Sequence, residues 1–84
     1  MNELERKKLH WHSRRGMLEL DLLLIPFVSQ QLESLDDRQL SLYQSLLRCE
    51  DQDIFAWLLL REKPSDPGIA EIVSRILEFA ANPD

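Results

Sequence analysis

Apolar residues recur along the chain at the three- and four-residue spacing of an α-helix. Nowhere do they alternate strictly over several positions, as a half-buried strand does. Five segments carry the helical pattern. The first runs from about Asn2 to Arg15, with Leu4, Lys8 and Trp11 along one side and Leu9 adjacent. Gly16 follows as a C′ residue that tolerates positive φ, with Arg14 and Arg15 in the last turn, where cations suit the helix dipole. The second runs from about Met17 to Leu32, with Glu19 and Asp21 in its first turns. Met17, Leu20, Leu24, Phe27 and Val28 form one stripe, and Leu18, Leu22, Ile25 and Leu32 form another. A helix apolar on two faces is predicted to be the central one of a bundle. Pro26 removes a backbone donor in its middle, which predicts a kink or a break there.

The third helix is expected to start after Ser34, with Asp37 three residues on as a variant capping box. It carries Leu40, Tyr43, Leu46 and Leu47 and ends near Cys49. The fourth starts after Asp51, carries Ile54, Phe55, Trp57, Leu58 and Leu59, and must stop before Pro64. The fifth has Asp66 as N-cap and Pro67 at its first position. Ile69, Ile72, Val73, Ile76, Leu77 and Ala80 then repeat at helical spacing, and Asn82 and Pro83 end it. Short connections between short helices favour a compact antiparallel bundle. The expected fold is thus all-α, about five short helices in a single domain over residues 1–84.

Charge sharpens this picture. Residues 1–15 hold five basic and two acidic residues, a net of +3, while residues 16–84 hold five basic and thirteen acidic ones, a net of −8. An acidic body is a poor nucleic-acid binder, because phosphates need clustered Lys and Arg. The basic N-terminal segment suits an acidic patch on a protein. The longest apolar run, Leu22 to Val28, is far short of the ~20 residues that span a bilayer. The first fifteen residues are mostly polar and show no secretory h-region, and Cys49 is the only cysteine. A cytoplasmic protein without membrane insertion is expected.

Candidate chemistry is sparse. His10 and His12 are two residues apart, so on a helix they point to different sides and make a poor metal pair. Cys49 has no partner cysteine, and Glu50, Asp51 and Asp53 beside it oppose a reactive thiolate. The only glycines are Gly16 and Gly68, so no glycine-rich phosphate loop exists. The acidic cluster lacks EF-hand spacing, and acids at a helix N-terminus explain it more simply. The chain does not read as an enzyme. Its densest segment is Arg14-Arg15-Gly16-Met17-Leu18-Glu19-Leu20-Asp21, although capping physics alone accounts for each residue type in it.

The string from His10 to Asp21 resembles the signature of the succinate dehydrogenase assembly factor 2 family, whose mark is Arg-Gly-x-x-Glu. Arg15, Gly16 and Glu19 fill that motif. Downstream, Ile25-Pro26-Phe27, the segment from Leu46 to Leu58, and Lys63-Pro64 resemble further family elements in order and spacing, so the resemblance covers roughly residues 5–65. Gln52 is a departure, standing where many members have proline. Mitochondrial members carry a transit peptide that is not seen here, so the chain looks like a bacterial form.

The resemblance implies a factor that binds the flavoprotein subunit of succinate dehydrogenase, and in some bacteria of fumarate reductase, and promotes covalent attachment of FAD to it. The flavin is then bonded to a histidine of the flavoprotein, not to His10 or His12. The implied partner-binding residues are Arg15, Gly16 and Glu19, with Arg14, Met17, Trp11, His10 and Asp21 around them. Arg15 and Glu19, four apart across a glycine corner, are expected to present a cation and a carboxylate together. Gly16 would let a partner backbone approach closely, and Trp11 and Met17 would supply apolar anchors. No cofactor is expected on the chain itself: it lacks a phosphate-binding turn, and so small a bundle is expected to lack the roughly 300–1,000 Å³ pocket of a drug-sized ligand. Two other readings compete. One is an antitoxin-like module that docks through its acidic helices, and the other is a structural bundle with no specific site.

Overall fold

A computed structural model describes residues 2–82, and among them it contains five α-helices, one 3-10 turn and no strand. Helix α1 spans Glu3–Ser13, α2 Leu18–Gln31, α3 Asp37–Leu47, α4 Asp51–Leu58 and α5 Pro67–Ala81. The 3-10 turn Leu32–Ser34 continues α2. The all-helical expectation holds in element number and order.

Local chemistry explains the boundaries. Asn2 caps α1 through a complete capping box with Glu5, its side chain accepting from the Glu5 N–H at 2.8 Å. Helix α3 starts two residues later than the Ser34–Asp37 expectation, because the box is built by Asp36 and Gln39 instead. The Ser34 hydroxyl instead donates to the Gln31 carbonyl at 2.9 Å inside the 3-10 turn. Helix α4 begins at Asp51 itself, with Glu50 as N-cap, and Gln52 lies within its first turn. Helix α5 follows its expected start: Asp66 accepts from the Gly68 and Ile69 N–H groups and Pro67 is the first helical residue. Its cap at the far end is Asn82; Pro83 lies outside the described residues. Gly68 is also a close-approach position, since a Cβ there would lie 2.7 Å from Leu42 Cδ2 of α3.

Helix α2 packs against α1, α4 and α5, and α5 packs in turn against α3. Leu20, Leu24, Phe27 and Val28 of α2 are buried in one cluster with Tyr43, Leu46, Ile54, Leu58, Ile72 and Ile76. Each such side chain contributes roughly 1.5–3 kcal/mol relative to exposure. The Phe27 ring lies 5.5 Å from Tyr43 and 5.7 Å, edge-on, from Phe79. Pro26 does not break α2, which runs unbroken through it; Leu24 before it and Phe27 and Val28 after it are held in the core.

Two packing expectations are corrected. On α1 the buried residues are Leu9 and Ser13, whereas Leu4 and Trp11 are 61% and 73% exposed. On α2 the second stripe divides: Leu32 is buried, but Leu18 and Leu22 are 69% and 65% exposed. Helix α2 is central through one stripe and the end of the other, and its first two turns leave an apolar edge in solvent.

Candidate functional site

The segment joining α1 to α2 alternates between residues turned inward and residues turned outward. Ser13 is fully buried; its hydroxyl donates to the Leu9 carbonyl at 2.7 Å and lies 2.6 Å from the Tyr43 hydroxyl of α3. Arg14 is exposed. Arg15 turns inward again, and Gly16 is exposed with φ +79°. This left-handed backbone suits glycine, and an added Cβ would meet nothing within 4 Å. Met17 is half-buried against the core as the N-cap of α2, and its carbonyl accepts from the Leu20 and Asp21 N–H groups. Glu19 then stands exposed in the first turn.

Arg15 is the most heavily bonded side chain of the corner. Its Nε donates to Asp51 Oδ1 at 2.7 Å. Its Nη1 donates to the carbonyls of His12 at 2.8 Å and Leu47 at 3.0 Å, and its Nη2 donates to the Cys49 carbonyl at 3.1 Å. Its backbone N–H donates to Asp21 Oδ1 at 2.8 Å. The Leu47 carbonyl is among those left free at the C-terminus of α3, where a cation is electrostatically favoured. Arg15 was expected to stand beside Glu19 as an exposed pair; it points instead into the α3–α4 junction and pairs with Asp51. The capping rule places a cation at the end of α1, but the acceptors that hold it come mainly from the junction of α3 and α4.

The other candidate residues are placed as follows. His10, Trp11 and Arg14 lie with Glu3, Arg6 and Lys7 along one outward face of α1. Asp21 is half-buried and occupied with the Arg15 backbone. Trp11, Leu18 and Leu22 add exposed apolar surface on the two helices that flank the corner, although the spacing of Leu18 and Leu22 predicts a second buried stripe. The sequence marks Asp51 only as an acid at a helix start, and nothing local marks it as the partner of Arg15.

A groove of about 440 Å³ lies between α1 and α3, lined by Glu5, Lys8, Leu9, His12, Gln44 and Leu47, with Arg15 and Arg48. The expectation that the bundle has no hollow of ligand size is therefore not met. Among the described residues no group of three or more His, Cys, Asp or Glu side chains could hold a metal ion. The Cys49 thiol is pushed up by its partial burial first and then by Asp53 and Asp66, against a smaller opposing pull from Arg15. That is opposite to an activated nucleophile. No helix among the described residues is long and apolar enough to cross a membrane.

The fold is thus a small helical bundle whose most constrained surface feature is an open glycine corner. Residues 7–80 match the family described as "Flavinator of succinate dehydrogenase", and the chain belongs to this family. It is 48% identical over 77 residues to the FAD assembly factor SdhE of Pseudomonas aeruginosa, covering 92% of each chain. It is 46% identical over 78 residues to the FAD assembly factor SdhE of Pseudomonas syringae pv. syringae, covering 93% of each. It is 38% identical over 71 residues to that of a Serratia species, covering 84% of this chain and 81% of the relative.

Proposed function

We propose that this chain is a cytoplasmic, non-catalytic assembly factor. It docks on the flavoprotein subunit of succinate dehydrogenase, and on that of fumarate reductase where present, and so promotes covalent attachment of FAD. Family membership supports the flavinylation role, and the open corner at Gly16 supports the place of docking. A glycine in left-handed backbone, with empty space where a Cβ would stand, lets a partner backbone come closer than any other residue type allows. Exposed Glu19 and Arg14 flank it with opposite charges, and Trp11 and Leu18 offer apolar anchors on either side.

The chemistry belongs to the flavoprotein. The bundle contributes binding energy: by holding best the flavoprotein conformation in which histidine and flavin are aligned, it raises that conformation's population. The test uses purified flavoprotein subunit with Glu19→Ala and Gly16→Arg variants of the full chain. Glu19 is an exposed first-turn carboxylate, so its removal costs α2 only ~0.3–1 kcal/mol. Both variants are expected to fold, to bind the flavoprotein poorly and to leave it with less covalent flavin. Unchanged binding and flavinylation with both variants would refute the corner as the docking place.

A further inference from the structure

We infer that Asp51 is a positioning residue for docking: it holds Arg15, and through Arg15 it fixes the backbone that presents Gly16 and Glu19. The inference rests on the docking reading above and adds a residue that lies 36 positions from Arg15, at the start of α4.

Arg15 is fixed at both ends. Its backbone N–H is bound to Asp21 of α2 and its guanidinium to the α3–α4 junction. A guanidinium has five N–H donors, and four of these are taken, by Asp51 and the carbonyls of His12, Leu47 and Cys49. The Arg15 side chain is only 15% exposed, which leaves little of it for a partner to touch. Its neighbours lack comparable anchors. Arg14 is exposed, Gly16 has no side chain, and Met17 makes no side-chain cap. With Ser13 bonded to Tyr43 and Met17 packed on the core, Arg15 is the residue that ties the corner to the α3–α4 junction.

Asp51 is the only charged acceptor in that set. Its carboxylate supplies the counter-charge that makes a half-buried guanidinium favourable there, since a partly buried cation left without an opposite charge keeps its desolvation cost uncompensated. Without it the guanidinium is drawn to solvent and releases the corner. Two sequence segments far apart, Arg14-Arg15-Gly16 and Glu50-Asp51, thus act as one structure.

The experiment measures affinity for the purified flavoprotein subunit by calorimetry, together with amide hydrogen exchange at residues 16–19 of the free chain. The variants are Asp51→Asn, Asp51→Ala, Arg15→Ala, Arg15→Lys and the Arg15→Ala/Asp51→Ala pair. Asp51→Asn is expected to weaken binding about tenfold while exchange at the corner rises. The two alanine losses should be markedly non-additive, because both remove the same tie. Arg15→Lys keeps the charge but not the planar fork, and should bind no better than Arg15→Ala. The inference is overturned if Asp51→Asn binds normally while Arg15→Ala does not, for Arg15 then touches the partner directly. Additive losses overturn it too, since Asp51 would then make its own contact. Should Asp51→Ala unfold, the isosteric Asp51→Asn and its pairing with Arg15→Lys carry the same comparison. Full binding by Glu19→Ala and Gly16→Arg would instead refute the docking reading, and corner exchange in Asp51→Asn would still report whether the tie exists.

Discussion

Ser13 Oγ and the Tyr43 hydroxyl lie 2.6 Å apart with both residues fully buried, and this bond joins the end of α1 to the middle of α3. The direction of the bond follows from proton counting. The Ser13 proton goes to the Leu9 carbonyl, so Tyr43 donates and Ser13 accepts. Removing either partner should then have unequal effects. Tyr43→Phe leaves Ser13 bonded to Leu9 and should cost about 0.5–1.5 kcal/mol. Ser13→Ala leaves a buried phenol without an acceptor and should cost about 1–3 kcal/mol. Urea melts of the two variants and of the double variant check this. The double variant is expected to be no less stable than Ser13→Ala alone.

Burial pushes the Tyr43 hydroxyl up to about 12, against smaller opposing effects of the Ser13 hydroxyl, which can turn to donate to an ionised phenol oxygen, and of the Arg15 charge. Its ordinary value is 10.0. A phenol raised on folding keeps its proton in the native state while the unfolded chain loses it. Stability is thus fully present below pH 10 and falls as the pH climbs towards about 12. The loss over that window is on the order of 2–3 kcal/mol. Tyr43 is the only tyrosine, so tyrosinate absorbance reads its ionisation without interference. Tyr43→Phe should flatten the alkaline limb of the stability curve; an unchanged slope would place the titration elsewhere.

What sequence could show depends on how local the cause is. The start of α5 was readable because Asp66 and Pro67 act on their own helix. At α3 two candidate capping boxes lie within a few residues, and Asp36 with Gln39 prevails over Ser34 with Asp37. Leu18 and Leu22 fit the core pattern, yet they are exposed, because periodicity fixes a face and not what covers it. Arg15 is the clearest case. Its type is explained by the end of α1, but its acceptors Leu47, Cys49 and Asp51 lie 32, 34 and 36 residues away. No local spacing rule reaches that far.

The groove between α1 and α3 is large enough for part of a flavin, so its chemistry must decide whether it takes one. Leu9 and Leu47 are its apolar lining residues, and no Phe, Tyr or Trp ring lines it to offer a broad apolar face to an isoalloxazine. The Arg15 guanidinium at its edge already has four acceptors. Lys8, His12 and Arg48 remain as point contacts beside the Glu5 carboxylate, without a phosphate-cradling turn. Calorimetry of the chain with FAD should show no saturable binding at micromolar concentrations. A clear isotherm lost in Lys8→Ala or Arg48→Ala would make the protein a flavin carrier.

Gly16 allows conformation and access to be separated. A Cβ there meets no atom within 4 Å, so substitution costs only backbone strain at φ +79°, about 1–2 kcal/mol for alanine. Asparagine tolerates left-handed backbone better, so stability should fall in the order glycine, asparagine, alanine. Close approach by a partner obeys a different order, because it depends on the volume added. Affinity for the flavoprotein should fall from glycine to alanine to asparagine to arginine. Thermal melts and calorimetry on these variants place the two orders side by side. If affinity follows the stability order, with Gly16→Asn binding better than Gly16→Ala, the glycine serves only the turn. If affinity follows side-chain size while Gly16→Asn remains the most stable substitution, the open space above Gly16 is where the partner's backbone lies.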